Sequence, residues 1–112
     1  MSLQHTDQQA AAVAKAPRVA LSDIEAAIGG VYYTTGSDAL PHASIEYLRP
    51  LTLLTICVIV MRNGFTVIGK SAPASVDNFD ADLGRKFAYE DAIRQLWPLM
   101  GFALREKLAN GR

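Results

Sequence analysis

Hydrophobic residues run almost without interruption through positions 51–71, and one short polar group, Arg62-Asn63-Gly64, divides this run in two. Both halves are rich in Val, Ile and Thr, which favour β-strands. Asn-Gly between two such halves is typical of a two-residue type I′ turn, because both residues tolerate positive φ angles. The pattern therefore predicts two antiparallel strands, at residues 53–61 and 65–71, joined at Asn63-Gly64.

A two-residue loop also determines the register of this hairpin, since it pairs Arg62 with Phe65 and Val60 with Val67. One face is then wholly apolar: Leu54, Ile56, Val58, Val60, Phe65 and Val67. The other face is mixed: Thr55, Cys57, Ile59, Met61, Thr66, Ile68 and Lys70. A sheet covered on one face by its own helices and on the other by a second subunit would account for both faces.

Upstream of the hairpin the sequence predicts a disordered arm and then a helix. Residues 1–20 are rich in Gln and Ala and show no apolar period, so we expect disorder there. From Leu21 a helix is predicted, with Ser22 and Glu25 as its capping box. Its apolar positions have helical spacing: Ile24, Ala27, Ile28 and Val31. Gly29-Gly30 weakens this helix and leaves its end undefined.

The segment between that helix and the hairpin is predicted to be a long loop. Residues 34–49 contain Gly, Pro, Ser and Asp, which favour turns, and a short helical turn is expected at 45–48. Pro50 favours an extended entry into the first strand.

Downstream of the hairpin, a long helix is predicted to begin at Ala81, capped by Asp80 or Asn78. Pro98 is expected to break it, because proline removes an amide donor and clashes with the preceding turn. A second helix then continues until Asn110-Gly111 ends it.

Two stripes run along this long helix. The apolar side carries Leu83, Phe87, Ile93, Leu96 and Trp97, with Tyr89 at its margin. Gly84, Ala88 and Ala92 form a second stripe of small residues at a spacing of four, which would let another backbone come close. The predicted fold is α+β: an antiparallel, hairpin-centred sheet packed by an N-terminal helix and two C-terminal helices broken at Pro98, in a single domain over residues 21–112.

The length and the charge of the chain limit the kinds of function that it can have. A chain of 112 residues makes one domain with a modest core. Its formal net charge is zero, which gives no long-range attraction to DNA or to an acidic membrane. The longest apolar run, 51–61, is too short for a membrane-spanning helix, and no signal peptide is evident. Cys57 is the single cysteine, so no intramolecular disulfide forms. We therefore expect an intracellular soluble protein.

No set of residues indicates catalysis or metal binding. His5 and His42 lack partners at a defined spacing, whereas a metal site needs three or four convergent ligands. Cys57 lies among apolar residues, and this favours structural burial because a reactive thiolate needs a nearby cation or helix terminus. Gly69-Lys70-Ser71 resembles only the end of a phosphate-binding loop. We expect no enzyme activity, no metal and no cofactor.

The start of the long helix is the most interesting candidate for a ligand site. A helix N-terminus offers free amides and the positive end of a dipole to a phosphate. Ser71 and Asn78 precede it, Arg85 lies one turn inside it, and Phe65 and Phe79 could stack on a base. On these residues alone, an ordinary capped helix with Phe79 as its hydrophobic staple is favoured.

Three stretches resemble a family of small phage proteins called the gene-product-forty-nine family. They are LLTICVIVMRNGFTVIGKSA, NFDADLGRKFAYEDAI and LWPLMGFALREKL, and the upstream LSDIEAAI is similar to the family's opening helix. The chain departs from the family at Pro73, where members are expected to carry Cys, so no role for a thiol is carried over there.

The resemblance implies the function of phage anti-Thoeris proteins of the first type. These bind and sequester, without cleaving it, the cyclic ADP-ribose isomer that a host TIR enzyme makes as an alarm signal. The resemblance implies a homo-oligomer, a dimer or higher, with ligand between protomers, in the cytoplasm of the bacterial host. Some members also bind cyclic oligonucleotides at a separate site. The alternative is a noncatalytic phage accessory protein that acts through protein–protein contact.

For a cyclic ADP-ribose isomer or a related cyclic nucleotide, residue chemistry gives a candidate site. The aromatic rings would stack on the base, while hydroxyl, amide and guanidinium groups would meet ribose and phosphates. The predicted ligand-binding residues are Arg62, Asn63, Phe65, Ser71, Asn78, Phe79, Arg85 and Arg94.

Overall fold

The structure is a computed structural model, and it describes residues 2–13 and 16–111. Its elements follow in the order α1 (Leu3–Val13), α2 (Leu21–Ala26), β1 (Ile28–Thr35), α3 (Gly36–Ala39), α4 (Ile45–Leu51), β2 (Thr55–Met61), β3 (Thr66–Ser71) and α5 (Ala81–Asn110). A 3₁₀ turn, Val76–Asn78, lies just before α5. The predicted α+β class is confirmed, with an antiparallel sheet, helices before it and a long C-terminal helix.

The sheet has three antiparallel strands in the order β1-β2-β3. β2 and β3 form the predicted hairpin. β1 lies where the end of the predicted helix was left undefined, and no strand was predicted there. The helix stops at Ala26, and the chain then pairs with β2 from Ile28 opposite Met61 to Thr35 opposite Thr55. Gly29-Gly30 is a poor helix former, and the Val, Tyr and Thr residues that follow favour a strand.

The hairpin loop has three residues, Arg62, Asn63 and Gly64, where two were predicted. The Met61 N–H donates to the Phe65 carbonyl at 2.7 Å, and the Gly64 N–H donates to the Met61 carbonyl at 2.9 Å. Among the described residues only Gly64 has a positive φ, at 90°, so the type I′ prediction is wrong. A type I turn followed by one glycine at positive φ closes a three-residue hairpin loop.

The additional loop residue shifts the register by one position and exchanges the strand faces. Val67 pairs with Ile59, where Val60 had been predicted, and Ile68 pairs with Val58. The buried residues on the helix-covered face are therefore Thr55, Cys57, Ile59, Met61 and Val67. The opposite face, here called the open face, carries Tyr32, Thr34, Ile56, Val58, Val60, Thr66, Ile68 and Lys70. The predicted wholly apolar face does not exist.

The small-residue stripe of α5 packs on the protein's own sheet. Ala88 and Ala92 are completely buried. A Cβ placed on Gly69 of β3 would lie 2.0 Å from the Ala88 carbonyl oxygen and 2.6 Å from the Ala92 nitrogen. The backbone that this stripe admits is therefore that of β3 rather than that of a second chain.

Two further α5 side chains occupy the outer edge of β3. The Asp91 carboxylate accepts a hydrogen bond from the Lys70 N–H at 2.9 Å, and the Gln95 amide donates to the Ile68 carbonyl at 2.7 Å. These are the backbone groups of β3 that point away from β2. The helix thus satisfies an edge that would otherwise be free to pair with another strand.

The predicted start of α5 is confirmed and the predicted break is not observed. The Asp80 carboxylate accepts from the N–H groups of Asp82 and Leu83, and the helix begins at Ala81. It then continues through Pro98 to Asn110 as one element. Pro98 and Arg94 are exposed, so water can bond the Arg94 carbonyl that proline leaves without a donor.

The core lies between α5, α2 and the sheet. Its largest fully buried side chains are Ile24, Cys57, Ile59, Ile93 and Leu96. The Trp97 indole N–H donates to the Val19 carbonyl at 3.1 Å and joins the helix to the segment before α2. Leu83 and Phe87, which were predicted for the apolar side, are 46% and 49% exposed because they lie where α5 begins, beyond the small-residue contact with β3.

The segment predicted as a disordered arm contains the helix α1; Met1, Ala14 and Lys15 of that arm lie outside the described residues. The Arg18 guanidinium and the Asp7 carboxylate are 2.8 Å apart, and Asp7 also accepts from the Leu21 N–H. These bonds tie α1 to α2. The predicted Ser22 cap is replaced by Ala20, whose N–H donates to the Asp23 carboxylate at 2.8 Å.

The predicted long loop before β2 is shorter and more helical than expected. The expected helical turn is confirmed as α4, which extends to Leu51 and includes Pro50, so the extended entry predicted at that proline is wrong. Thr35 caps α3, since its hydroxyl accepts from the Asp38 N–H at 3.2 Å. Residues of β1 and α3 therefore lie close to the start of α5.

Candidate functional site

Two small cavities adjoin at the start of α5 and share Phe79 as a wall. The first, here called the Phe79 cleft, has a volume of about 210 Å³. It is lined by Ser71, Ala72, Pro73, Asn78, Phe79, Asp80, Leu83, Gly84 and Phe87. The second, here called the Thr55 pocket, has a volume of about 180 Å³. It is lined by Tyr33, Thr34, Thr35, Asp38, Thr55, Phe79, Ala81 and Arg85.

The Phe79 cleft is largely aromatic and aliphatic with a few polar groups. Phe79, Leu83 and Phe87 expose 37%, 46% and 49% of their surface there. Ser71 and Asn78 supply a hydroxyl and an amide. An apolar cleft with a few polar groups is the usual composition of a site for a heteroaromatic ring. The structure therefore brings together three of the predicted residues: Ser71, Asn78 and Phe79.

The helix N-terminus itself is not free to bind a phosphate as predicted. The Asp80 carboxylate already accepts from the Asp82 and Leu83 N–H groups, at 3.0 and 3.1 Å. A phosphate at this position would compete with that carboxylate and be repelled by it. A phosphate near this end of α5 needs a cation, and Arg85 in the neighbouring Thr55 pocket is positioned to supply one.

Arg85 forms an ion pair with Asp82 one turn earlier on α5. The Arg85 side chain is 45% exposed and that of Asp82 is 91% exposed, so solvent screens the pair and its contribution to stability is small. The guanidinium has five N–H donors and can bind another acceptor while it keeps this contact. Arg85 is thus the predicted site residue that supplies positive charge next to Phe79.

The other predicted residues lie elsewhere. Arg62, Asn63 and Phe65 are in the hairpin loop, about 20 Å from the far end of β3 where Ser71 lies. Phe65 and Phe79 therefore cannot stack on one base within a single chain. The Arg62 guanidinium donates to the Ala26 backbone carbonyl at 2.9 Å, and the Asn63 side-chain oxygen Oδ1 accepts from the Phe65 N–H at 2.9 Å, so both side chains shape the loop.

The hairpin loop borders a separate groove of about 450 Å³. Its lining is mainly apolar: Ala27, Met61, Arg62, Asn63, Phe65, Leu96, Leu99, Met100 and Ala103. Arg94 lies on the exposed side of α5 and lines neither this groove nor the two cavities at Phe79. The predicted set is thus divided into two groups and one outlying residue.

A row of hydroxyl and thiol groups lies between the sheet and α5, next to the Thr55 pocket. Burial raises the pKa of the Cys57 thiol, and a hydrogen bond with Tyr33 lowers it by less. Burial also raises the pKa values of Tyr33 and Tyr89. All three groups are therefore protonated at neutral pH, and a protonated buried thiol is a poor nucleophile. Within residues 2–13 and 16–111, no group of three His, Cys, Asp or Glu side chains is placed to hold a metal ion.

A comparison of the sequence with models of protein families gives a match. A model of the phage protein (N4 Gp49/phage Sf6 gene 66) family matches residues 19–108. The chain belongs to this family. The resemblance inferred from its three sequence stretches is thereby confirmed, and the match includes both cavities at Phe79.

Neither the curated proteins nor the solved structures gave a match to this family member. No described helix of the chain is long and apolar enough to cross a membrane.

Three residues of the Thr55 pocket in this phage family member lie outside the predicted set. Tyr33, Asp38 and Thr55 were not predicted as site residues, because no strand had been predicted at β1 and α3 had been interpreted as loop. Thr55 was placed on the correct strand, but the predicted register gave no reason to associate it with Arg85. The one available signal was the run Val31-Tyr-Tyr-Thr-Thr after Gly29-Gly30, which is typical of a strand.

Proposed function

We propose that this phage family member binds and sequesters a cyclic ADP-ribose-type nucleotide made by a host TIR enzyme, without cleaving it, in the cytoplasm of the bacterial host. The observation that carries the proposal is the position of Phe79, whose partly exposed ring separates a cleft lined by Leu83 and Phe87 from a pocket that contains Arg85. Such a ligand combines an adenine ring with charged diphosphate, and so needs both environments side by side.

The chemistry of the lining supports binding rather than turnover. The polar groups that line the two cavities are hydroxyls, an amide, a guanidinium and the carboxylates of Asp38 and Asp80. Asp80 is used as the cap of α5, and the other groups can hold a nucleotide by hydrogen bonds and charge. Hydrolysis of a pyrophosphate or glycosidic bond needs an activated nucleophile or a metal-bound water. We propose therefore that the ligand is released unchanged.

Each cavity alone is smaller than the ~300–1,000 Å³ of a typical small-molecule site. A complete site therefore needs both cavities and further surface, and a second copy of the chain is the proposed source of that surface. This is consistent with the homo-oligomer that the resemblance implies, in which ligand lies between protomers.

A second candidate function rests on the open face of the sheet. Tyr32 and Ile68 expose 63% and 59% of their surface there, with Val58 between them. A phage accessory protein that acts by protein–protein contact would use this surface, and no small ligand would be needed.

The test of the first candidate is a release experiment. The protein is mixed with the product of a TIR enzyme, free signal is measured, and the complex is heated. We expect the free signal to fall on mixing and the intact nucleotide to return on heating. Return of a linear product would show catalysis, and no fall in signal at concentrations well above micromolar would favour the protein–protein function.

The site itself is tested by calorimetry on Arg85→Ala, with Arg105→Ala at the far end of α5 as the matched control. A charge-assisted contact to phosphate contributes about 1.5–3 kcal/mol, so loss of Arg85 should weaken binding about tenfold to a hundredfold or more. Arg105→Ala should bind as wild type does. Equal affinity of Arg85→Ala and wild type would keep the function and reject this site.

A further inference from the structure

The floor of the Thr55 pocket holds a buried hydroxyl that has no use within the fold. Thr55 is only 5% exposed, yet its side chain makes no hydrogen bond to any described residue. No described side-chain N or O atom is both inaccessible and unpaired, so the Thr55 hydroxyl reaches the pocket. Water can bond this hydroxyl in the empty pocket, and a ligand group that replaces that water can take over its hydrogen bond.

Gly84 on α5 keeps this hydroxyl accessible. A Cβ at Gly84 would lie 2.7 Å from the Thr55 Oγ1, in contact too close for any real side chain. Glycine in a helix interior costs about 1 kcal/mol relative to alanine. The helix therefore has a residue of low helix propensity at the position where an alanine methyl group would clash with the Thr55 hydroxyl.

The walls above Thr55 carry further groups that bind hydroxyls. Asp38 is exposed, and among the described residues its carboxylate accepts no hydrogen bond and joins no ion pair. Tyr33 adds a partly exposed phenol to the same wall. Arg85 supplies N–H donors at the rim next to Phe79.

The size of the pocket restricts what it can hold. At ~30 Å³ for each water molecule, about 180 Å³ has room for about six waters, or for one sugar ring of similar volume, and is too small for a base with its ribose and phosphates. A carboxylate that accepts from a ribose hydroxyl, as in dinucleotide-binding folds, is the expected partner for such a ring.

We propose that the Thr55 pocket is a ribose-phosphate subsite, in which Asp38 accepts from the sugar hydroxyls, Thr55 completes a hydrogen bond at the floor and Arg85 meets the attached phosphate. The inference rests on the proposed function, since it assigns the second cavity to the same nucleotide whose base lies on Phe79. It adds two specificity-determining residues, Asp38 and Thr55, from elements that precede the predicted site in the chain. A ligand with the same base but without a ribose diol would lose the contact to Asp38.

The experiment uses two variants with matched controls and two probes. Thr55→Val removes the hydroxyl and keeps the shape, and Asp38→Asn removes the charge at an exposed position. Ser22→Ala, at an exposed hydroxyl of α2 outside both cavities, and Asp77→Asn in the 3₁₀ turn are the controls. The probes are the cyclic ADP-ribose isomer, followed by calorimetry, and ribose 5-phosphate alone, followed by amide NMR signals. Thermal unfolding shows whether each variant is folded.

We expect Thr55→Val to weaken binding of the cyclic nucleotide about two- to tenfold and Asp38→Asn about tenfold, because a hydrogen bond to a charged group is the stronger one. Both controls should bind as wild type does. If the nucleotide binds wild type and both variants equally, the subsite is rejected while the proposed function stands.

If wild type binds no cyclic nucleotide, the proposed function fails and the second probe decides the subsite. Saturable shifts at Asp38 and Thr55 with ribose 5-phosphate, lost in Asp38→Asn, would support a ribose-phosphate pocket independently. No shift in wild type would overturn it. Should Thr55→Val fail to fold, Asp38→Asn with its Asp77→Asn control gives the same decision.

Discussion

Gly69 on β3 lies directly against the backbone of Ala88 on α5, so that a single added Cβ would stand 2.0 Å from the Ala88 carbonyl oxygen. Real Cβ atoms do not approach a backbone atom so closely, and neither partner is a flexible side-chain end. This contact sets the distance between the helix and the sheet. It therefore also sets the position of the start of α5, where both cavities lie.

Gly69→Ala is the sharpest test of this contact. The helix or the strand must shift, and we expect a loss of about 1–3 kcal/mol or more in the free energy of unfolding. Gly101→Ala in the same helix is the control, since a Cβ there meets no atom within 4 Å, and it should be neutral or slightly stabilising. Chemical denaturation measures both. Equal stability of the two variants would show that the packing at Gly69 is looser than described.

The hairpin loop gives a second prediction. Gly64 has φ +90°, so Gly64→Val should destabilise the protein by about 1 kcal/mol or more. Asn63 does not have positive φ, and Asn63→Ala should cost less, because it removes only the bond to the Phe65 N–H. A type I′ turn would instead make both positions sensitive. Thermal unfolding of the two variants distinguishes these loops.

Self-association through the open face is the third prediction, and it follows from the proposed oligomer. Wild type should sediment at micromolar concentration as a dimer or larger. Ile68→Lys places a charge on that face and should yield a folded monomer, whereas Val76→Lys, which changes a 66% exposed residue outside the sheet, should leave the assembly intact. A wild-type monomer would contradict the prediction.

The Cys57 thiol and the phenols of Tyr33 and Tyr89 predict a loss of stability at alkaline pH. Burial raises all three pKa values above the ordinary 9.0 for the thiol and 10.0 for the phenols, so the unfolded chain loses these protons first. The stabilisation is fully present below about pH 9 and declines as pH rises from there toward the folded-state pKa values. Tyr89→Phe should reduce the decline measured by denaturation between pH 8 and pH 11. An unchanged slope in that variant would exclude Tyr89 as a contributor.

The sequence predicted those parts of the fold that have strong local signals. The hairpin strands, the Asp80 cap and the two ends of α5 follow from apolar runs, a capping carboxylate and a terminal Asn-Gly, whereas the break expected at Pro98 is not observed. The register did not follow, because a two-residue and a three-residue loop both accept Asn63-Gly64, and one residue decides which side chains face the helix. The strand β1 was not predicted, because the spacing of Ile24, Ala27, Ile28 and Val31 also fits one face of a helix.

Only part of the candidate site was predicted from the sequence. Ser71, Asn78, Phe79 and Arg85 are close in sequence to the start of α5, and the structure places them around the two cavities. Phe65 was included as an aromatic ring that could stack on a base, but the length of β3 separates the hairpin loop from the start of α5. Asp38 and Thr55 join the site only through strand pairing, and a single sequence carries no direct signal for such pairing.

The bonds from Asp91 and Gln95 to β3 have a consequence for how the sheet can grow. In antiparallel pairing by sheet extension, a chain with two free edges can add copies at both sides and build a fibre. Here side chains of α5 bond outward backbone groups of β3, and the uncharged β1 is the opposite edge of the three-stranded sheet. If two copies pair through β1, the free edge of each chain is covered by the other. Any assembly made in that way stops at two chains and six strands.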